Sequence, residues 1–339
     1  MKNRLTLSFF VVIILFAATN FAGANSRSGL VTIQIDLSGQ EQGKEARLWV
    51  PYPVSDHDQV VSNIRTSGDY ASIGVYTDTA HSTPILYAEW SEQARTRKLV
   101  FSFNVQRQEV IRRDFPAKQP DWNPADYAEF LKATSLGPID GDVKVLADSI
   151  TKGQQTVLEK AKAIYNWTCE HTYRIPETIG CGKGDVCELL KDPGGKCTDI
   201  SSLFVALARA AGVPAREIFS IRLGKKSQED ITTWQHCWAE FFLPGYGWVP
   251  VDPADVRKAM LVEKLDLKDS KTKEYRDYFW GGIDPYRVVI AKGRDLILNP
   301  PQKGAPLNTF GYPYAEVGGK AVDFYMPSTF VYRISYKAQ

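Results

Sequence analysis

The hydrophobic residues of this chain change their period part-way along it, and that change restricts what the chain can build. From about residue 30 to 111 they alternate with polar residues: Val31, Ile33, Ile35 and Leu37; Ala46, Leu48 and Val50; Leu99, Phe101, Phe103 and Val105. Side chains of a strand point to opposite faces in turn, so alternation marks strands with one buried face. Turn-rich breaks such as Ser67-Gly68-Asp69 and His81-Ser82-Thr83-Pro84 separate these runs, which predicts an antiparallel β-sandwich over residues 25–115. His57 and His81 fall in such turns and read as solvated loop residues. Pro116, Pro120 and Pro124 then punctuate a linker over 116–140, and its aromatics, Phe115 and Trp122, predict that it packs against a neighbour.

From residue 141 the spacing becomes helical. Val143, Leu146, Ala147 and Ile150 form one face, and Val157, Leu158, Ala161, Ile164, Tyr165 and Thr168 form a second. Ile200, Leu203, Phe204 and Leu207 form a third, stopped by Gly212 with Pro214 beyond it. Strand patterns return at Ala215–Leu223, Thr232–Leu243 and Gly247–Asp252. Helices followed by strands predict an α+β core over 141–310, with strands of 311–339 packing on that core.

The chain begins Met1-Lys2-Asn3-Arg4, continues through an apolar run from Leu5 to Ala18, and reaches Ala22-Gly23-Ala24. A basic start, a short apolar stretch and an Ala-x-Ala site predict a signal peptide over 1–24 and export to the periplasm or beyond. The run is shorter than the ~20 residues that cross a bilayer, and no later segment is apolar enough, so no membrane span is expected after cleavage. Residues 1–24 hold Lys2 and Arg4 and no acid, so removing them takes the formal charge from +2 to zero. Without a basic cluster there is no electrostatic case for nucleic acid or an anionic membrane as partner.

All five cysteines lie between residues 169 and 237, and an odd number in an oxidising compartment leaves at least one thiol unpaired within the chain. Cys181 and Cys187, close together in a glycine-bearing loop, are the candidate disulfide. No C-x-x-C pair is present and histidines number four, which argues against a zinc site; no metal or other cofactor is expected. Gly194-Gly195-Lys196 delivers Cys197 to the start of the third helix. There the unpaired backbone N–H groups and the positive end of the helix dipole favour a thiolate, although an ordinary small buried residue fits the same position.

A second part of a site lies in a hairpin. If the turn Leu243-Pro244-Gly245-Tyr246-Gly247 is centred on Pro244, Glu240 opposes Trp248, Trp238 opposes Pro250, and His236 opposes Asp252. Opposed side chains stand ~4.5–5.5 Å apart at Cβ, whereas a one-residue slip would send them to opposite faces. The turn permits that register without requiring it, and a structural His–Asp pair would fit equally. With Cys197 the pair completes a nucleophile, a base and a group that orients the base.

These segments carry a resemblance. Gly195-Lys196-Cys197-Thr198-Asp199, Leu203 to Arg216, His236-Cys237-Trp238-Ala239-Glu240 and Gly247-Trp248-Val249-Pro250-Val251-Asp252-Pro253, in this order, resemble the bacterial transglutaminase-like superfamily over roughly 141–255, more weakly to 339. The Trp49-Val50-Pro51-Tyr52-Pro53 edge is similar to the N-terminal region of such bacterial proteins. The resemblance implies a papain-like core with Cys197 as nucleophile, His236 as base and Asp252 as its orienter. The oxyanion donor stays open among the Cys197 amide and the side chains of Trp167 and Tyr173. Trp234 and Trp238 share the His236 strand face and either wall a cleft or fill the core. The expected activity is a thiol enzyme acting on amides of peptides or proteins through an acyl-thioester, hydrolysis being favoured over cross-linking transfer. A non-catalytic binding module is the rival of another class, and the sequence does not specify an oligomeric state.

Overall fold

The computed structural model describes residues 25–339. The expected signal peptide, residues 1–24, lies outside them. Two five-stranded antiparallel sheets share one core. The first runs, in spatial order, Gln228–Asp230, Val331–Ala338, Ser26–Asp36, Lys98–Gln108 and Gln59–Gly68. The second runs Lys320–Val322, Tyr314–Val317, Ala46–Pro51, Pro84–Trp90 and Ser72–Thr77. The alternating residues meet between them: Val31, Ile33, Ile35, Phe101 and Phe103 from one sheet pack against Leu48, Val50, Leu86 and Ala88 from the other.

The C-terminal strands do more than expected. They complete the sandwich, with Ile334 pairing with Ile33 and Tyr314 with Trp49, and also meet the α+β core, where Val331–Ala338 pairs with Gln228–Asp230. A strand's unpaired N–H and C=O groups need partners, and the N-terminal strands Ser26–Asp36 and Ala46–Pro51 each offer an open edge. The segment 116–140 is pinned as its aromatics predict. Phe115 lies edge-on to Tyr246 at 5.4 Å, and Phe130 edge-on to Trp248 at 4.8 Å.

The α+β core is built on a four-stranded antiparallel sheet, in the order Gly247–Val251, Gln235–Leu243, Ala215–Arg222 and Arg287–Lys292. Helices Gly141–Ile150 and Val157–His171 precede it, the second opened by a capping box between Thr156 and Glu159. The helix Cys197–Ala210 packs on this sheet and is buried at all fourteen positions. Its large residues, Leu203, Phe204 and Leu207, are flanked by small ones, Ser201, Ser202, Ala206, Ala208 and Ala210, which lets neighbours approach on every side. Two features bring the sandwich against this core: Gln59 caps the backbone of Val289 at its amide and carbonyl, and the indole of Trp49 donates to the Pro300 carbonyl. No helix among the described residues is long and apolar enough to cross a membrane.

Candidate active site

Cys197 is the first residue of its helix, and the turn beneath it is held by Asp199. That carboxylate accepts from the Lys196 amide at 2.9 Å and the Gly184 amide at 2.8 Å. The loop carrying Cys181 therefore closes over the helix N-terminus, with the Thr198 amide donating to the Cys181 carbonyl at 2.9 Å. Gly182 must be glycine here: its φ is +93°, and a Cβ would stand 1.9 Å from Asp199 Oδ2. The amide of Cys197 itself donates to no partner among the described residues, so it remains available beside the thiol.

The expected Cys181–Cys187 disulfide does not form. Both cysteines are free; Cys187 is exposed on the short helix Val186–Lys191, whereas Cys181 is buried beside Cys197. The Sγ atoms of Cys181, Cys197 and Cys237 lie within 4.8 Å of one another. Tyr312 Oη bonds Cys181 Sγ at 3.2 Å, and Thr198 Oγ1 meets Cys237 Sγ at 3.2 Å. This cluster divides the proton affinities. Hydrogen bonds from Cys181 and Cys237, followed by the hydrogen bonding and charge of His236, hold the Cys197 thiol well below its usual range despite burial. Cys181 and Cys237 are pushed up. Of the three sulfurs, Cys197 is thus the one whose proton affinity is lowered.

His236 stands on the strand Gln235–Leu243, and Asp252 ends the neighbouring strand as N-cap of the helix Pro253–Glu263. The hairpin is centred on Gly245, whose φ is +77°, not on Pro244: Leu243 opposes Gly247, Glu240 opposes Pro250 and Ala239 opposes Val251. The correction shifts the partner by two residues, which keeps each side chain on its expected face. Asp252 then leaves the ladder, where its Oδ1 accepts from the Asp255 amide and its Oδ2 meets His236 Nε2 at 2.7 Å. With Nε2 engaged, Nδ1 is the ring nitrogen left for the thiol.

Arg287, which sequence reasoning missed, lies behind this pair with no exposed surface. It donates to Asp252 Oδ2, to Asp255 Oδ2 at 2.7 Å and to Asp284 Oδ2 at 2.9 Å. Arg222 adds a second cation against Asp255. Burial and Arg222 pull the imidazole's pKa down, but the carboxylates of Asp255 and Asp252 outweigh them and hold it above its ordinary value. A lowered thiol and a raised imidazole favour the thiolate–imidazolium pair. The one local signal for Arg287 was a cation opening an apolar strand just after Asp284.

The remaining expected residues separate. A cleft of about 600 Å³ opens over Cys197 and His236, and Trp234 lines it. Trp238 does not; it is buried with Val110, Ile218 and Ile283. Trp167 stacks on His171 at 4.6 Å, and Tyr173 Oη bonds Asp192, so neither side chain reaches the cleft as an oxyanion donor. Tyr173 serves through its backbone, pairing with Gly194 ahead of Cys197.

The family model of the transglutaminase-like superfamily matches residues 144–253, a span that includes Cys197, His236 and Asp252. A Haemophilus influenzae protein of uncharacterised function is 37% identical over 346 residues, covering 93% of each chain. Bacillus subtilis YebA, also uncharacterised, is 26% identical over 125 residues, 33% of this chain and 17% of its own. The crystal structure of a Cytophaga hutchinsonii protein, described as a candidate cysteine protease, covers 93% of this chain and 99% of its own at a TM-score of 0.56 and 16% identity. With a papain-like α+β core behind a β-sandwich, and with the family's motifs spanning its cleft, the chain belongs to the transglutaminase-like superfamily.

Proposed function

We propose that this protein is an exported thiol hydrolase that cleaves amides of peptides or proteins through an acyl-thioester on Cys197. The observation that carries the reading is the arrangement of a depressed thiol at a helix N-terminus, a raised imidazole in the same cleft, and a buried carboxylate 2.7 Å from the imidazole's far nitrogen. The thiolate attacks the amide carbonyl carbon. The Cys197 N–H, free of internal partners, is the donor available to the developing oxyanion. The imidazolium gives its proton to the leaving amine as the C–N bond breaks, which leaves the acyl-thioester. Neutral His236 then takes a proton from water as that water attacks the thioester, and the acid leaves with the thiolate restored. Asp252 keeps the imidazole in one tautomer throughout.

Hydrolysis is favoured over cross-linking on electrostatic grounds. Arg174, Lys196, Lys225 and Lys258 line the cleft, and they oppose entry of a protonated lysine as the second amine. Export rests on the Met1–Ala24 segment. The test is the rate of iodoacetamide labelling at Cys197 as a function of pH. Fast labelling persisting at about pH 6, below the usual thiol range near ~8.5, and lost in His236→Ala is the expected result. Labelling no faster than that of an exposed thiol, and indifferent to His236→Ala, would sink the reading in favour of a binding module. Incorporation of a labelled amine into a glutamine peptide would overturn hydrolysis in favour of transfer.

A further inference from the structure

The cleft over Cys197 is lined by five cationic side chains, Arg174, Lys196, Arg222, Lys225 and Lys258, and by no carboxylate. The acids behind its wall are already engaged. Asp252 and Asp255 hold His236, Arg222 and Arg287; Asp284 holds Arg287; Asp199 is taken by backbone amides. Among the described residues, Arg174, Lys196, Lys225 and Lys258 have no carboxylate within salt-bridge distance. The thiolate offsets one of these charges at most.

Two of the four are placed to act at the reaction centre. Arg174 is rooted beside the nucleophile, because its strand pairs in parallel with Gly194–Gly195 and Arg174 itself lies opposite Gly195. Its Nη1 is buried with no hydrogen-bond partner. An unsatisfied buried donor is costly, and a charged one more so. Lys258 projects into the same cleft from the helix that Asp252 caps, and that helix packs against the short strand carrying Arg174. Burial and Arg222, and after them Arg174, push its pKa down against the opposing pull of the Asp255 carboxylate. Arg174 and Lys258 therefore converge on a space that lacks an anion.

Resting on the reading of Cys197 as nucleophile, we infer that the enzyme selects acyl donors bearing a carboxylate next to the scissile amide, bound between Arg174 and Lys258. A guanidinium receives a carboxylate as a fork, and the lysine adds a point charge, so the pair fixes the donor's register over Cys197 Sγ as well as attracting it. Trp234, Tyr325 and Tyr332 supply apolar wall for the rest of the peptide.

Cys197 itself reports on this field through two alkylating agents of similar size, neutral iodoacetamide and anionic iodoacetate. Both attack through the same thiolate, so the ratio of their rates cancels the thiolate fraction and reads the potential at the sulfur. At pH 7 and low salt, the iodoacetate-to-iodoacetamide ratio at Cys197, followed by mass spectrometry, is expected to exceed that of N-acetylcysteine at least about fivefold. It should fall about threefold or more in Arg174→Gln and in Lys258→Met, and shrink as salt is added. A ratio equal to that of N-acetylcysteine, or one that both variants leave unchanged, overturns the inference. Rapid iodoacetamide labelling with an ordinary ratio would remove the anion subsite and leave the nucleophile in place. Slow labelling by iodoacetamide would instead count against the nucleophile. Protection of Cys197 by N-acetyl-glutamate α-amide, whose carboxylate lies on the acyl donor, is expected; protection by N-acetyl-alanine alone, whose carboxylate lies on the leaving amine, would overturn the assignment to the acyl donor.

Discussion

Arg287→Met removes one buried cation from a cluster of three carboxylates. The arginine has no exposed surface and bonds Asp252, Asp255 and Asp284 at once. In the variant those acids and His236 keep only Arg222 as a buried counter-charge. Breaking a buried ion pair from one side typically costs ~3–5 kcal/mol, because the stranded charge cannot recover its hydration. At ~2–4 °C per kcal/mol for a domain of 150–250 residues, the thermal midpoint should fall on the order of 10 °C. The same substitution has an electrostatic signature. Arg287 lowers the proton affinity of His236, so its loss lets the carboxylates hold the imidazolium to higher pH. The pH profile of iodoacetamide labelling should move its upper inflection in the alkaline direction, a shift that a merely structural role would not produce. Calorimetry and the labelling profile test the two parts separately. A midpoint lowered by less than ~2 °C refutes the buried-cluster energetics, and an unmoved inflection refutes the coupling to His236.

Gly182→Ala places a methyl group on the Asp199 carboxylate at a left-handed backbone position, so it should cost at least ~1 kcal/mol and slow labelling of Cys197 by loosening the helix start. Chemical denaturation reads the first effect, and unchanged stability would show that this loop does not anchor the nucleophile. Acid should destabilise the fold in a defined window. Burial raises the pKa values of Asp255 and Asp284, but Arg222 and Arg287 outweigh it and depress them. Their contribution is complete above the unfolded value near ~3.9 and is lost as pH falls through the folded values. The thermal midpoint should therefore hold down to about pH 5 and decline below about pH 4, with a shallower decline in Asp284→Asn; a midpoint unchanged to about pH 2 would contradict this.

What could be read in the chain beforehand was local or periodic. Alternation at Val31, Ile33 and Ile35 fixes a half-buried strand, and the i, i+3, i+4, i+7 spacing from Ile200 to Leu207 fixes a buried helix, because each pattern maps directly onto one face. His236 and Asp252 were placed on a common face despite the wrong turn centre, since a two-residue shift preserves parity. Long-range pairing carries no such mark. Nothing near Val331–Ala338 specifies that its partner is Ser26–Asp36, and nothing around Cys181 specifies two other sulfurs as its neighbours. Proximity along the chain suggested Cys187 as the partner of Cys181, but the glycine-rich loop turns Cys181 inward over the nucleophile and leaves Cys187 outside. Trp167, Tyr173 and Trp238 show the same limit: an aromatic at a plausible spacing does not reveal which surface it will meet.

The pairing of the first described strand with the last has a consequence for how the protein is made. Ser28 Oγ donates to the carbonyl of Gln339 across 311 positions of sequence. A chain leaving the ribosome presents Ser26–Asp36 long before Val331–Ala338, so one edge of the earlier strand lacks its neighbour until the later one emerges. Such a non-local contact closes slowly, and the waiting edge is open to pairing with other chains. The Cys197 machinery, encoded between the two strands, is translated before the sandwich beside it can be completed. Completion of the sandwich beside Cys197 therefore waits on Val331–Ala338, a strand remote from it in sequence that nonetheless brings Tyr332 to the cleft wall.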